Sequence, residues 1–274
     1  MKILSLLLAF SFAVTSVYAE TEINEKKGES KTLILFYSQT GTTKQIAEEL
    51  QKRLGADIEE IKVTNPYAGT YDETIARCRE EMGNNTLPQI SPIKANIKDY
   101  DTVFLGYPVW FGICARPMLS LINTVDFANK RIVPFCTFGS GGIVETTEQL
   151  KKALPLAKVE NGFGIRQIRI DRMATELDRF LKINGYIEGK VEQLPEYSAL
   201  KDVTEKDCAI FNAACGDYKF PMGTPISVGS RTTASGTDYL FVVNGTNPQG
   251  ESVKSKVYIT VETNRKPVFT LVVR

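Results

Sequence analysis

Apolar runs of strand length alternate with amphipathic runs of helix length between residues 31 and 185. The apolar runs predict strands at residues 32–37, 57–63, 102–107, 132–137 and 159–165. The amphipathic runs predict helices at residues 42–54, 71–82, 115–125, 144–154 and 173–183. Strands separated by helix-length segments require crossover connections, which favour a parallel sheet. The pattern therefore predicts an α/β fold, a doubly wound five-stranded parallel sheet with helices on both faces.

The pattern changes after residue 188. One helix is predicted at residues 203–214, followed by strands at 226–231, 238–244, 256–262 and 268–273. Turns rich in Gly and Asn separate these strands, and no helix lies between them, so they should pair antiparallel. We therefore expect a domain at residues 31–187, a linker at 188–200 and a smaller α+β domain at 201–274.

The N-terminal segment has the features of a secretory signal peptide. Lys2 supplies a positive charge, residues 3–17 are almost wholly apolar, and V-Y-A at residues 17–19 fits a cleavage site. This predicts a signal peptide at residues 1–19, a polar linker at 20–30, and a mature chain that carries no membrane span. The mature protein should be periplasmic or extracellular.

Charge and composition exclude several classes of function. Without Lys2 the chain has 32 Lys plus Arg against 32 Asp plus Glu, so we expect no binding of nucleic acid or anionic lipid. The chain has no histidine, which removes Ser-His and Cys-His nucleophile pairs and the commonest zinc sites. We predict no catalytic residue and no metal site. The five cysteines contain no C-x-x-C and are odd in number, so free and mostly buried thiols are expected.

The stretch S-Q-T-G-T-T, residues 38–43, connects the first strand to the first helix and is called the first loop here. Ligands of open α/β sheets bind at the carboxyl ends of the strands. A helix N-terminus there offers unpaired amides and partial positive charge for a phosphate, and hydroxyls add further donors. Gly41 would let the backbone come close to the anion. The alternative is that Thr42 only caps the helix.

Two more loops should leave the same edge of the sheet. The second loop, residues 108–112, lies in Y-P-V-W-F-G, and the third, residues 137–141, lies in C-T-F-G-S-G-G. In the strand order 2-1-3-4-5 the three strands that carry these loops are neighbours. Trp110, the only tryptophan, could stack on a flat heterocycle, and Gly139, Gly141 and Gly142 would allow close approach of a planar ligand. Alternatively, Trp110 anchors a surface loop or forms a subunit contact.

Taken together, the three loops resemble those of flavodoxins. The resemblance is strongest to a subgroup in which W-W-G or W-F-G precedes an Ala/Pro-rich helix start, here C-A-R-P at residues 114–117. It spans residues 32–186 and contains all three loops in order. It implies a flavodoxin-like fold that binds FMN.

The resemblance also implies how each loop acts. The first loop would hold the FMN phosphate, the second would flank the isoalloxazine with Trp110 on one face, and the third would contact the far edge of the ring. Phe138 would be a second stacking partner, and the Gly112 region would offer a carbonyl to reduced flavin N5. The implied cofactor-binding residues are Ser38, Gln39, Thr40, Gly41, Thr42, Thr43, Pro108, Val109, Trp110, Phe111, Gly112, Thr137, Phe138, Gly139, Ser140 and Gly141.

The expected function is electron transfer through FMN, either as a carrier or as a reductase of quinone-like acceptors. The partners would be FMN and a redox protein or small acceptor. The alternative is a cofactor-free binding or scaffold protein on the same fold. Cys114, beside the second loop, is either redox-active or a buried spectator, and we favour the spectator.

The region from residue 202 onward faintly resembles the cystatin-like fold, a helix wrapped by an antiparallel sheet. The inhibitory Q-x-V-x-G is not reproduced, because T-T-A-S-G at residues 232–236 shares only the glycine. We therefore expect a partner-binding or structural module rather than a protease inhibitor. An immunoglobulin-like piece is the alternative.

Overall fold

A computed structural model describes residues 31–67, 70–246 and 250–274. The predicted signal peptide and the linker at residues 20–30 lie outside the described residues, so export stays a prediction. Within the described ranges, no helix is long and apolar enough to cross a membrane.

The first domain is the predicted doubly wound sandwich. Its strands are β1 (Thr32–Phe36), β2 (Asp57–Glu60), β3 (Thr102–Trp110), β4 (Ile113–Cys114), β5 (Arg131–Phe138), β6 (Lys158–Val159) and β7 (Phe163–Arg166). Its helices are α1 (Thr42–Leu54), α2 (Tyr71–Gly83), α3 (Arg116–Thr124), α4 (Ile143–Ala153) and α5 (Met173–Ile183). The strands β2, β1, β3 and β5 lie side by side and pair parallel, and both β6 and β7 pair parallel with β5. Because β6 and β7 together occupy the fifth place, the order 2-1-3-4-5 is confirmed.

The fifth strand differs from the single strand predicted at residues 159–165. It is divided into β6 and β7, and the chain between them comes very close to β5. A Cβ at Gly162 would lie 2.6 Å from the Pro134 carbonyl oxygen, a separation that only glycine allows. The interruption therefore follows from a contact with the neighbouring strand, which an apolar pattern cannot reveal.

Alternate residues of the central strands serve two separate cores. Ile34 and Phe36 of β1 face α1 and α5, where they pack with Ile46 and Leu177. Leu33 and Leu35 face the opposite side and pack with residues of α2, α3 and α4, namely Cys78, Met118 and Leu150. Side chains alternate across a strand, so a central strand covered by helices on both faces must be apolar throughout.

The C-terminal domain (residues 201–274) is built on an antiparallel sheet. It contains β8 (Lys201–Asp202), α6 (Glu205–Cys215), β9 (Thr224–Thr233), β10 (Gly236–Thr246), β11 (Ser252–Glu262) and β12 (Val268–Val273), and its sheet order is β12-β11-β10-β9-β8. The helix α6 starts after Thr204, which forms a capping box with Asp207, and it buries Phe211 against Phe241 of the sheet. A helix against an antiparallel sheet is thus present, and the cystatin-like assignment stays a prediction.

Candidate cofactor-binding site

The three loops predicted from the sequence meet at one edge of the parallel sheet. The first and third loops touch through the buried hydroxyls of Thr43 and Thr137, whose Oγ1 atoms are 2.9 Å apart. The second loop touches Gly142, the residue directly after the third loop, where a Cβ would lie 2.6 Å from Cγ1 of Val109. The carboxyl ends of β1, β3 and β5 therefore carry a continuous surface made of all three loops.

The first loop leads into the N-terminus of α1, and the N-cap residue of this helix has no side chain that could bond to the helix amides. This residue is Gly41, with a φ of 84°, and no atom lies within 4 Å of the place that a Cβ would take. Thr42 is the first helical residue, so the alternative in which it caps α1 is wrong. The Ser38 hydroxyl accepts a hydrogen bond from the Lys44 amide (3.2 Å), and the Thr40 and Thr42 hydroxyls are 3.4 Å apart. Hydroxyls beside an open helix N-terminus suit a phosphate group.

The side chain of Gln39 is engaged within the protein. Its carbonyl oxygen accepts a hydrogen bond from the Tyr37 hydroxyl, and its amide nitrogen donates to the Tyr67 carbonyl oxygen at 2.7 Å. These bonds attach the first loop to the chain between β2 and α2. The Gln39 side chain is therefore held in place by two hydrogen bonds within the protein, which the sequence alone did not predict.

The second loop is shorter than predicted and forms the turn of a hairpin. Pro108 to Trp110 belong to β3, and Trp110 pairs with Ile113 of β4. The two turn residues, Phe111 and Gly112, have φ values of 53° and 80°, the geometry of a two-residue turn with both positions left-handed. Phe111 adopts a positive φ although bulky residues disfavour it, and its side chain is 44% exposed. The hairpin thus presents an aromatic ring to solvent at the sheet edge.

Trp110 belongs to an aromatic cluster. Its ring meets Tyr67 edge to face at a centroid distance of 5.1 Å and Tyr37 at 5.8 Å. The two tyrosines are buried, at 5% and 6% exposure, whereas Trp110 is partly exposed. The cluster fixes the plane of the indole and leaves part of it accessible to a ligand.

A partly buried carboxylate, which the sequence pattern did not predict as part of the site, supports this cluster. Glu81 accepts hydrogen bonds from the Tyr67 hydroxyl (2.5 Å) and from Nε of Arg77 (2.9 Å), and Nε of Arg116 lies 3.4 Å from it. The guanidinium of Arg77 also lies 4.0 Å from the centroid of the Tyr67 ring. Burial, and then the hydrogen bond to Glu81, hold the pKa of Tyr67 well above its usual range, so its hydroxyl stays a donor. The amphipathic pattern of α2 alone could not show which of its charges faces inward.

The third loop is held by parts of the chain that are distant in sequence. The Gly139 carbonyl accepts a hydrogen bond from Nε of Arg166 (2.7 Å), and the Ser140 carbonyl accepts one from the Val272 amide of β12 (2.8 Å). A Cβ at Gly141 would lie 2.0 Å from the Val272 carbonyl oxygen. Gly141 therefore makes room for β12 and Gly142 for Val109. This corrects the expectation that both glycines make room for a ligand.

Phe138 packs in the core rather than at the surface. Its side chain is 4% exposed and joins the cluster of buried residues on the α3 and α4 side of the sheet. It is the last residue of β5, where side chains still alternate between the two covered faces. The ring therefore cannot stack on a ligand, and the expectation of a second stacking partner here is wrong.

The thiols near the site are inert. All five cysteines are free, and all except Cys208 are buried. Burial raises the pKa of Cys114 to about 12 and that of Cys136 well above its ordinary value. Both thiols are protonated at neutral pH, so they are poor nucleophiles and reductants. This favours the spectator interpretation of Cys114.

Two cavities lie away from the three loops. One of about 380 Å³ is lined by residues of the segment after β7 and of β11 and β12, including Arg169, Arg172 and Glu262. The other, of about 510 Å³, lies between the chain before β3 and the C-terminal half of α3. Among the described residues, no group of three or more Cys, Asp and Glu side chains could hold a metal ion.

The chain belongs to the flavodoxin family. The family model described as flavodoxin matches residues 31–177, which is more than half of the sequence. The match contains all three loops and ends before the C-terminal domain. No match was found among curated proteins.

Two solved structures to which this chain is similar are flavoproteins by description. A Bacteroides eggerthii protein described provisionally as a flavoprotein is 30% identical, covers 56% of this chain and 97% of its own, and has a TM-score of 0.48. A flavoprotein from Lactobacillus acidophilus, crystallised in complex with FMN, is 23% identical, covers 53% of this chain and 99% of its own, and has a TM-score of 0.45.

Proposed function

We propose that this protein binds FMN at the three loops and transfers electrons through it, as a carrier or as a reductase of quinone-like acceptors. One observation carries the proposal. The three loops that the flavodoxin family uses for its cofactor meet at one sheet edge, with direct contacts between the first and third and between the second and Gly142, which follows the third.

The first loop fits a phosphate in shape and in chemistry. The open position at Gly41 would let a phosphate approach the start of α1, and the hydroxyls of Ser38, Thr40 and Thr42 lie beside it. The nearby Lys44 is exposed, and its Nζ lies 3.9 Å from the carboxylate of Glu48. Binding would rest on helix dipole and hydrogen bonds rather than on a cationic side chain.

The second loop fits the flat ring system. Trp110 offers a partly exposed aromatic face with a fixed plane, and the turn at Gly112 has no atom within 4 Å of the place of a Cβ. When bound, FMN would accept and donate one or two electrons. The surrounding residues would orient the ring and exclude water, and in this way they would set its reduction potential.

The cofactor-free scaffold remains the second candidate because one observation favours it. The chain itself fills the space at Gly141 and Gly142, with Val272 and Val109, so these two glycines do not require a ligand. The two candidates differ in whether FMN binds at Trp110.

The test is a titration of the purified protein with FMN, followed by tryptophan fluorescence. Trp110 is the only tryptophan, so quenching reports on this site alone. We expect saturable quenching, weaker binding of riboflavin because it lacks the phosphate, and faster reoxidation of the bound reduced flavin by a benzoquinone than by buffer alone. A folded protein that shows neither quenching nor a change in flavin absorbance would contradict FMN binding and favour the scaffold function.

We also propose that the protein is exported. The support is the positive, apolar and small-residue pattern of residues 1–19. N-terminal sequencing of the protein recovered from the periplasm or medium of a bacterial host should start at Glu20. Recovery of the full-length chain from the cytoplasm alone would contradict this.

A further inference from the structure

The C-terminal domain lies against the third loop. The amide of Val272 in β12 donates to the Ser140 carbonyl at 2.8 Å, and Val272 forms a parallel bridge with Gly141. Beyond β12, the amide of Arg274 donates to the Glu145 carboxylate in the first turn of α4 at 3.1 Å. The last strand of the chain therefore extends along the loop that should contact the far edge of the flavin.

Arg166 connects the two domains at this point. It ends β7 and is 7% exposed. Its Nε donates to the Gly139 carbonyl at 2.7 Å, and one terminal nitrogen donates to the Phe269 carbonyl of β12 at 2.6 Å. Its guanidinium lies 3.3 Å from the centroid of the Phe269 ring. Burial lowers the pKa of Arg166 to about 10, so it remains a cation at neutral pH.

These contacts fix the direction of two peptide groups. In a planar trans peptide the carbonyl and the N–H point in opposite directions. Since the Gly139 and Ser140 carbonyls bond to Arg166 and Val272, the amides of Ser140 and Gly141 point away from those partners. Backbone donors fixed in this way suit the polar edge of a flavin, and no side chain of the loop has to supply them.

We propose that Arg166 is a positioning residue and that the C-terminal domain is a structural part of the cofactor site. In this arrangement, the docking of β12 onto the third loop and the binding of flavin stabilise each other. The inference rests on the proposed FMN binding. It gives the C-terminal domain a role that the flavodoxin match, which ends at residue 177, does not cover.

The experiment compares Arg166→Met with Arg172→Met in the full chain. Arg172 also crosses the interface, through an ion pair with Glu262, but it does not contact the third loop. Its side chain is 31% exposed, so the loss of that ion pair should have a small effect. We expect Arg166→Met to weaken the binding of FMN and of riboflavin by about the same factor, roughly tenfold, because a charged donor to the ring-contacting loop is lost. Arg166→Lys should restore part of the affinity, and Arg172→Met should stay within about twofold of wild type.

A second measurement needs no variant. Hydrogen–deuterium exchange of the wild type should show slower exchange in residues 268–274 when FMN is added, since the Val272 amide bonds to the loop that FMN would order. Wild-type protein that binds FMN, with unchanged affinity in a folded Arg166→Met variant and no protection of β12, would overturn this inference alone. Wild-type protein that does not bind FMN would overturn the proposed function and this inference together.

Discussion

The first and third loops reach the same place by different means. The first loop is determined locally, because Gly41, the Ser38 hydroxyl and the start of α1 all lie within a few residues of one another. The third loop depends on β12, which lies more than 120 residues further along the chain. A flavin bound at these loops, as proposed, would contact a loop held by the C-terminal domain, so damage to that domain should weaken flavin binding.

The largest expected difference between the two loops comes from adding one methyl group to a glycine in each. Gly141→Ala would place a Cβ 2.0 Å from the Val272 carbonyl oxygen, so β12 must move, and we expect a loss of about 3 kcal/mol in the free energy of unfolding. The Cβ added by Gly41→Ala would contact no other atom, so only the left-handed φ should lower the free energy of unfolding, by about 1 kcal/mol. Urea unfolding of both variants measures the difference. Equal losses would mean that β12 does not rest on the third loop.

The second loop extends the comparison, because Trp110 packs on Tyr67 and the Tyr67 hydroxyl is held by Glu81. Glu81→Gln leaves Arg77 and Arg116 without their shared carboxylate, and we expect a loss of about 2 kcal/mol, less than for a fully buried pair because the Arg77 side chain is 26% exposed. The emission of Trp110 should shift to longer wavelength as its cluster loosens.

The matched control for this variant is Glu48→Gln, which removes an exposed carboxylate that lies 3.9 Å from Lys44. Its effect should stay below about 0.5 kcal/mol. Similar effects of the two substitutions would show that the Glu81 network does not support the aromatic cluster.

A smaller effect should identify the phosphate end of the site. Ser38→Ala removes the acceptor for the Lys44 amide and one hydroxyl beside the open N-terminus of α1. We expect about 1 kcal/mol of lost stability and a several-fold weaker binding of FMN, with riboflavin affinity unchanged. Titration with both flavins checks this. Equal losses for the two would place the phosphate elsewhere.

The smallest effect at neutral pH concerns the buried thiol of the C-terminal domain. Burial raises the pKa of Cys215 from 9.0 to about 12, so the folded state keeps a proton that the unfolded state loses. Stability that is present below pH 9 should therefore fall as the pH rises towards 12, by about 1.4 kcal/mol per pH unit for this group. Cys215→Ala should flatten that part of the stability profile. Cys208→Ala, on the same helix at a less buried position, provides the matched control for the loss of a thiol.

Much of the fold could be predicted because its signals are local. The bounds of α1, α5 and β12 agree with the sequence prediction, since periodicity and the glycine after Leu54 act within a few residues. The strand order and the shared edge of the three loops also followed, because parallel crossovers leave few alternatives. The division of the fifth strand did not follow, because it depends on a contact between Gly162 and Pro134 of another strand.

The convergence of the three loops was predicted from the sequence, and the directions of their side chains were not. Residue types marked the three loops, but side-chain direction depends on neighbours that are far apart in the sequence. Phe138 faces the core, Gln39 bonds to two tyrosines, and Gly141 makes room for β12. The Glu81 network was not predicted because its three charged residues, Glu81, Arg77 and Arg116, come from two helices that meet only in the folded chain.

The sequence by itself determined the alternation of strands and helices, the parallel sheet, and the three loops with the chemistry to hold a phosphate and a flat ring. Only the tertiary structure decided that the third loop is fastened by Arg166 and β12. The physical reason is the distance along the sequence over which each effect acts. Propensity, capping and turn chemistry act over a few residues, whereas the donors to the Gly139 and Ser140 carbonyls come from distant segments that only the packing of the two domains brings within 3 Å.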